Sequence, residues 1–354
     1  MKDMRSIDLV IPMVFPSDPA WQAAYNRAMG IADAPSASPG GSASERDVRY
    51  RSWQTEELLV RCCLKFMPWL RTIHILLASE SQAGYLGYKA NEANEPNGAN
   101  VDNGANVDNG PQVKLVFHDQ FIPAQYLPTF NVNTIEMWLH RIPDLSEYFI
   151  YSNDDFFPLS PLQPEDFFRP AVGAASRNDD ISTSRHLEEG QAALLPCQHM
   201  YEKPYPTSPN IYHKFVKNGL DMVAADWGAR FGKTWLRTGH SMQPMLRSTV
   251  EHVCTKHADR ILQSFTLKRE PKNFNQYIFP FWQHLSGQYI DHVPTRRYVG
   301  PKVATRDVAD ILRDPNVGIV CLNDNGGIKD WEARAAIVRR EIAAKLERPI
   351  GITK

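Results

Sequence analysis

The sequence lacks a long hydrophobic run, and it contains few cysteines. The apolar stretch in its first residues, MKDMRSIDLVIPMV, is far too short to cross a bilayer, and no signal-peptide cleavage pattern follows it. The five cysteines form no CxxC pair and no even-numbered framework, which is typical of reduced, buried thiols in an intracellular protein. We therefore expect a cytoplasmic location, with peripheral attachment at the inner face of the membrane left open.

An excess of charge of either sign is also missing. The 354 residues include 39 lysines and arginines and 40 aspartates and glutamates, which leaves a formal net charge of −1. This balance argues against a broad surface that tracks phosphates, so no nucleic-acid partner is expected, whereas a local basic pocket remains compatible with it. The length permits one large domain or two smaller ones.

Two segments contain little that would form a core. Residues 30–46 are small, polar and rich in proline and glycine, and residues 91–110 contain the unit GANVDN twice. Two copies of a six-residue unit are too few to stack into a solenoid. We expect both segments to be mobile loops with no part in the chemistry.

Short apolar, β-branched runs alternate with helix-like segments over the first half of the chain. Strands are predicted at 7–14, 72–79, 113–118 and 147–153, and helices at 55–70 and 133–142, with later amphipathic helices at 244–262 and 330–348. Such alternation predicts an α/β fold with a mostly parallel sheet and helices on its faces.

The predicted strand in YFIYSNDDFF ends in two adjacent carboxylates, Asp154 and Asp155. Ligands of open parallel sheets bind beyond the carboxyl ends of the strands, so this position favours a functional role. A turn or a helix cap is the alternative, because Asn and Asp favour both. Paired carboxylates suit a hard divalent cation such as Mg²⁺ or Mn²⁺, which would screen their repulsion.

Longer segments, in the same order along the chain, resemble the four conserved blocks of the Stealth family. These are sugar-phosphate transferases of capsule synthesis, related to the lysosomal-enzyme GlcNAc-1-phosphotransferase. The matching segments are IDLVIPMVFPSDPAW (7–21), residues 49–76 with 113–168, GHSMQPMLRSTVEHV (239–253) with 264–282, and GIVCLNDNGG (318–327). The resemblance implies a GT-A-like core with an additional helical subdomain. It also implies transfer of a sugar 1-phosphate from a UDP-sugar donor to a glycan acceptor.

The resemblance assigns roles to particular residues. Asp154 and Asp155 belong to the acidic motif that binds the metal, and Asp324 completes it. His240 opens the third block and is the implied general base, with an ordinary titration between pH 6 and 7 expected to appear in the rate. Arg269 would hold phosphate through its planar donor fork. Asn323, beside Asp324, would contact substrate.

Five further residues are candidates for substrate binding, and each has a structural alternative. Asn131 suits an N-cap of the helix that follows it as well as a substrate contact. His140 and Arg141 would line the phosphate pocket or cap a helix end, where cations are favoured. Arg51 and Glu57 match the second block, and the alternative for them is a structural ion pair.

Three regions are expected along the chain. Residues 1–170 would form the first part of the core, 171–238 an inserted, acceptor-facing subdomain, and 239–354 the rest of the core with a C-terminal helix. One departure stands out: Phe15 occupies the place of a first-block aspartate. Two other functions therefore stay open, a GT-A glycosyltransferase that releases UDP and a non-catalytic glycan-binding subunit of a capsule complex.

Overall fold

The fold is seen in a computed structural model, which describes residues 6–31, 50–86, 110–171, 193–324 and 326–349. Most of the two predicted loops, 30–46 and 91–110, lies outside the described residues, as does the start of the predicted subdomain 171–238. Within the described chain, no helix is long and apolar enough to cross a membrane.

The strands and helices are numbered here in chain order. The strands are β1 Ile7–Pro12, β2 Thr72–Leu77, β3 Gln112–Phe117, β4 Tyr148–Tyr151, β5 Phe156–Pro158, β6 Phe168–Pro170, β7 Leu194–Gln198, β8 Met200–Pro204, β9 Thr234–Thr238, β10 Gln243–Leu246, β11 Ile290–Asp291, β12 Arg296–Val299 and β13 Ile319–Leu322. The α-helices are α1 Pro19–Met29, α2 Glu56–Phe66, α3 Val132–Glu136, α4 Ile211–Ala224, α5 Arg247–Lys256, α6 Ala258–Ser264, α7 Ile278–Leu285, α8 Thr305–Arg313 and α9 Trp331–Glu347. Short 3₁₀ segments occupy Glu80–Leu86, His118–Gln120, Ala124–Tyr126, Leu139–Arg141, Pro164–Asp166 and Ala225–Trp227.

A five-stranded sheet in the order β10-β4-β1-β2-β3 forms the centre of the molecule. The three pairings among β4, β1, β2 and β3 are parallel, and at the edge β10 runs antiparallel to β4. All four predicted strands are present, and the predicted α/β fold with a mostly parallel sheet is confirmed. Strand β2 is buried along its whole length, as expected for a strand covered on both faces.

Helices cover both faces of this sheet. Alternate residues of β1 point to opposite sides, so Leu9 and Ile11 join one core and Val10 joins the other. Helices α2, α8 and α9 pack into the first core together with β5 and β13, and helices α4 to α7 contribute to the second. Of the second group, α4 falls within the predicted insertion 171–238, whereas α5 to α7 lie in the region 239–354 and pack with residues of the central sheet.

Two predicted helices have different boundaries from those expected. The segment predicted as one helix over 244–262 begins as strand β10, and its helical part is divided into α5 and α6. The pairing with β4 accounts for the strand, and Pro244 is tolerated there because β10 is an edge strand. The helix predicted over 133–142 is α3 followed by a 3₁₀ turn, and Pro143 disfavours its continuation.

A small second sheet, in the order β12-β13-β5, places a further strand end beside the first. Strand β13 pairs with β5 so that Cys321 lies opposite Phe156, and the Leu322 amide donates to the Asp155 carbonyl at 2.8 Å. Because β5 follows the NDD segment directly, residues after β13 are brought next to the acidic pair.

Candidate active site

A cleft of about 1330 Å³ lies beyond the carboxyl ends of β1, β4, β9 and β13. This is the position expected of a ligand site in an open α/β sheet. It brings together predicted site residues that are far apart in the sequence: Arg51, Asp154, Asp155, His240, Arg269, Asn323 and Asp324.

Four predicted site residues do not line this cleft. Asn131 is fully buried and acts as the N-cap of α3, where its side chain accepts from the Asn133 amide at 3.1 Å. Its amide nitrogen donates to Asn273 Oδ1 at 3.0 Å, which ties the start of α3 to the loop before α7. The structural alternative stated for Asn131 is therefore the one that the structure shows.

His140, Arg141 and Glu57 are the other three. His140 and Arg141 lie in the 3₁₀ turn after α3, where the Arg141 guanidinium packs over the Trp138 ring. Burial lowers the pKa of His140 to about 4. Glu57 is exposed on α2 and pairs with Arg61 one turn later, at 3.8 Å.

Desolvation raises the pKa of both aspartates after β4, and a different neighbouring charge adds to the shift of each. Asp154 is open to the cleft, but the protein that surrounds it displaces bulk water, and this desolvation with the charge of Glu56 raises its pKa to about 6. Desolvation raises the pKa of Asp155 to about 7, and the charge of Asp154 adds to this shift. The pair therefore carries an electrostatic cost that an opposite charge in the cleft would relieve.

The donor atoms at this place fit a hard cation. Asp155 Oδ1 is buried and has no hydrogen-bond partner among the described residues. Side-chain ligand atoms of Asp155, His240 and Cys321 lie within 4.8 Å of one another. Burial and the Asp155 charge keep the pKa of the Cys321 thiol well above its usual range, so it remains a protonated, poor ligand. The carboxylates of Asp154 and Asp155 are thus the ligands that suit Mg²⁺ or Mn²⁺.

His240 stands at the end of β9, and its ring is fixed from two sides. The Phe156 ring meets it edge-on at 4.8 Å, and Nδ1 lies 2.9 Å from the Tyr277 hydroxyl. Burial, with the charges of Arg237 and Arg269, lowers the pKa of His240 to about 4. The imidazole is therefore neutral at pH 7, and the titration expected between pH 6 and 7 does not belong to it in this structure.

Asp324, the third predicted metal ligand, has an ionic partner. The Arg51 guanidinium donates to both of its oxygens at 2.8 Å, and the Gly326 amide donates to Oδ1 at 2.9 Å. Arg51 also lies over the Trp331 ring, with Cζ 3.9 Å from the ring centroid. The structural ion pair considered for Arg51 exists, but its partner is Asp324 rather than Glu57.

A buried glutamate in the cleft was missed by sequence reasoning. Glu136, at the end of α3, accepts from the Tyr151 hydroxyl and from the Gln276 amide, both at 2.8 Å. Burial raises its pKa to about 7, and the charge of Arg269 opposes that shift. The available signal was a single acid among apolar residues in TIEMWL, since such a residue is seldom buried without a partner.

Comparisons with known proteins show the family of this chain. The family model described as Stealth protein CR2, conserved region 2, matches residues 103–176, which include the acidic pair. A capsular polysaccharide phosphotransferase of Actinobacillus suis is 36% identical over 329 residues, covering 90% of this chain and 76% of that protein. This chain belongs to the Stealth family of capsular sugar-phosphate transferases. The receptor polysaccharide phosphotransferase WefC of Streptococcus oralis is 26% identical over 93% of both chains.

Membership of the Stealth family confirms the expected enzyme class. Among solved structures, the galactosyltransferase LgtC in complex with donor and acceptor sugar analogs is similar with a TM-score of 0.37 and 10% identity, over 97% of each chain. Mouse xyloside xylosyltransferase 1 is similar with a TM-score of 0.36 and 9% identity, over 90% of this chain and 98% of that one.

Phe15, the departure from the first Stealth block, lies in the protein core. Its side chain is 7% exposed, and its ring stacks on Tyr85 with centroids 5.8 Å apart. The neighbouring Met13 and Val14 line the cleft. The aromatic substitution is thus accommodated by packing beside the cleft.

Proposed function

We propose that this protein transfers a hexose 1-phosphate from a UDP-sugar to a hydroxyl group of a glycan, releasing UMP. The product would be a phosphodiester-linked capsular or cell-surface polysaccharide. The observation that carries the proposal is the meeting of Asp154, Asp155, His240 and Arg269 in one cleft. An acidic pair, a neutral base and a guanidinium are the groups that phosphoryl transfer to an alcohol requires.

In the proposed reaction the acceptor hydroxyl oxygen attacks the phosphorus atom that carries the sugar. A new P–O bond forms, the bond from that phosphorus to the bridging oxygen breaks, and UMP leaves with the bridging oxygen. His240 accepts the hydroxyl proton. In the tautomer that leaves Nε2 free for this task, Nδ1–H donates to the Tyr277 oxygen, which orients the ring.

Arg269 would hold the phosphate that is transferred. It lines the cleft together with Asp154, Glu136 and His240, and its charge acts on all three. A guanidinium presents a planar fork that matches two phosphate oxygens. Mg²⁺ or Mn²⁺ on Asp154 and Asp155 would supply a Lewis acid that neutralises diphosphate charge.

The end of the cleft near β1 suits the nucleoside. Trp21, Tyr50 and Phe130 line it, with the Trp21 ring 4.9 Å from Tyr50 and 5.6 Å from Phe130. Aromatic faces of this kind stack with a nucleobase. This arrangement supports a nucleotide-linked donor, and the base expected is uracil.

The proposal is tested by the nucleotide that is released. The protein is incubated with a panel of UDP-sugars, Mg²⁺ and a glycan primer, and the nucleotides are separated by chromatography. UMP with a phosphodiester-containing product is the expected result. UDP as the product would assign the protein to the glycosyltransferases instead. Tight glycan binding without any nucleotide release would make it a binding subunit.

Membrane attachment through the C-terminal helix α9 is not proposed. Its basic side chains are engaged by the protein: Arg339 donates to the Trp53 carbonyl at 3.0 Å, and Lys345 donates to the Leu312 carbonyl at 2.9 Å. Arg340 pairs with Glu341 at 2.7 Å. Cations held in this way are poorly placed to meet anionic lipid.

A further inference from the structure

Two arginines line the cleft where β9 and β12 border it. Arg237 lies in β9 and Arg296 begins β12. Neither guanidinium has a hydrogen bond or an ion pair with any residue that the structure describes. Arg237 rests on the rings of Trp235 and Tyr212, with Cζ 4.6 and 5.7 Å from their centroids. Guanidinium N–H groups that line a cleft and have no protein partner indicate that the cleft binds an anionic ligand.

The glycine before His240 makes room for one of these arginines. A Cβ atom at Gly239 would lie 2.0 Å from Cζ of Arg296 and 2.2 Å from one terminal nitrogen. The guanidinium therefore lies directly against the backbone that carries the base. Because His240 follows at the next position, a group bound to Arg296 lies close to the place where the acceptor hydroxyl loses its proton.

Aromatic side chains share this side of the cleft. Tyr201, which pairs with Arg237 across β8 and β9, lines the cleft, and so does Tyr212 from α4. Tyr298 from β12 is 51% exposed, and its hydroxyl donates to Asn323 Oδ1 at 2.8 Å. Exposed tyrosine rings are suited to stacking on the apolar faces of sugars. This side of the cleft thus combines sugar-binding surfaces with unpaired positive charge.

The residues around His240 fall into an acidic group, Asp154, Asp155 and Glu136, and a group of arginines and tyrosines that includes Arg237 and Arg296. Arg269 and Arg237 both act on His240; Arg269 also acts on Asp154 and Glu136, whereas Arg237 also acts on Tyr212 and Tyr277. A general base lies within hydrogen-bond reach of the acceptor hydroxyl, and that hydroxyl faces the phosphorus atom of the donor. With the donor diphosphate on the acidic, metal-binding side, the arginine–tyrosine side is left for the acceptor.

We propose that Arg296, together with Arg237, binds a phosphodiester group already present in the acceptor glycan, so that the enzyme prefers to extend a phosphodiester-linked chain. This inference rests on the proposed function, because the reaction itself produces one such group for each sugar added. A phosphodiester offers two non-bridging oxygens and one negative charge to a planar guanidinium. A carboxylate offers a similar pair of oxygens, and the experiment separates the two.

Binding is measured first, since it does not depend on turnover. Ligand-observed NMR and calorimetry are performed with three disaccharides of glucose: one joined by a 1→6 phosphodiester, neutral isomaltose, and a carboxylate analogue that ends in glucuronate. We expect wild type to bind the phosphodiester more tightly than the other two. Arg296→Gln should weaken that binding by about 10- to 100-fold, the effect of losing a charge-assisted pair of hydrogen bonds.

Three variants show whether the guanidinium is responsible. Gly239→Ala keeps every charge but places a Cβ where the Arg296 guanidinium lies, so it should weaken phosphodiester binding as Arg296→Gln does. Arg296→Lys keeps the charge without the fork and should restore part of the affinity. Arg306→Gln makes the same charge change at a side chain that is 88% exposed on α8, and it should leave binding as in wild type.

Kinetics separate this inference from the proposed function. With phosphodiester-linked and neutral primers and a panel of UDP-sugars, Arg296→Gln should raise KM for the phosphodiester primer far more than KM for the neutral one. UMP release with equal use of both primers would overturn the inference and leave the proposed function standing. Preference for the carboxylate analogue would also overturn it. Absence of UMP with any primer would refute the proposed function, and the binding series would still decide the subsite.

Discussion

The Tyr277 hydroxyl lies 2.9 Å from Nδ1 of His240, and this contact joins the loop before α7 to the end of β9. Burial and the neighbouring Tyr212 keep the pKa of the Tyr277 phenol well above its usual range, so the group stays neutral. A neutral hydroxyl orients a neutral imidazole without adding charge to it. Tyr277 is therefore a positioning residue for the proposed base.

Tyr277→Phe should lower kcat by about 3- to 10-fold, since one neutral hydrogen bond contributes about 1 kcal/mol. His240→Ala should lower it by about 10² to 10⁴-fold, with donor affinity nearly unchanged. The double variant should be no slower than His240→Ala alone, because Tyr277 acts through the ring. Tyr126→Phe, outside the cleft, is the matched control. Fully additive losses in the double variant would contradict this role.

The pKa of His240 gives a prediction for the free enzyme. In an NMR titration of its ring protons, assigned with His240→Gln, the midpoint should lie at about 4 rather than near 6.5. The neutral base is then present throughout the physiological range, and loss of kcat/KM through protonation of His240 should begin only below about pH 5. Since burial depresses this pKa, the same group destabilises the fold as pH falls from the ordinary value towards 4. A midpoint between 6 and 7 would show that the ring is more hydrated than in this structure.

The acidic pair should control metal binding. Asp154→Asn and Asp155→Asn should each weaken Mn²⁺ affinity, measured by calorimetry, and reduce turnover by several orders of magnitude, and a chelator should abolish wild-type activity. Asp119→Asn removes an exposed carboxylate that also follows a strand, and it serves as the control. Asp324→Asn should change Mn²⁺ affinity little, because Arg51 holds both of its oxygens. Full activity in excess chelator would refute metal dependence.

The ion pairs of the second block should differ in their contribution to stability. Asp324→Asn breaks a two-pronged pair whose carboxylate is 7% exposed, and it should lower the free energy of unfolding by about 1–3 kcal/mol. Glu57→Gln removes the looser, exposed pair with Arg61 and should change it by less than about 0.5 kcal/mol. Denaturant unfolding of both variants checks this. Equal losses would mean that the Arg51–Asp324 pair adds no more than a surface pair.

Glu136 should make the metal-free protein less stable as pH rises. Its folded pKa of about 7 exceeds the ordinary 4.5, so between these values the folded state holds a proton that the unfolded state has lost. Stability should therefore fall from pH 4.5 towards pH 7, by about 3 kcal/mol from this group. Glu136→Gln keeps the shape and should flatten that part of the profile. An unchanged slope in the variant would show that Glu136 is ionised in the fold at pH 5.

Much of the fold follows from local sequence pattern. The four core strands and helices α2 and α9 were predictable because apolar periodicity over six or more residues reports which face is buried. Strand β10 was not predictable from local pattern. Its four residues include a proline, and they form a strand only by pairing with β4, which is far away in sequence. The site residues can be separated in the same way, into those found from the sequence and those found only in the structure. Asp154, Asp155 and His240 were found from motif and resemblance, and the structure brings them together in one cleft.

The residues that pair with these site residues were decided by tertiary structure. That Arg51 pairs with Asp324, 273 positions away, is a fact of long-range packing that no local pattern reports. Tertiary structure decided ionisation as well: the imidazole of His240 stays neutral well below pH 6.5 because burial and two nearby arginines disfavour its charge. The amino-acid sequence by itself determined which groups are available, through their spacing on strands and helices. Distance, desolvation and neighbouring charge arise only when remote segments meet, and these decided what each group can do.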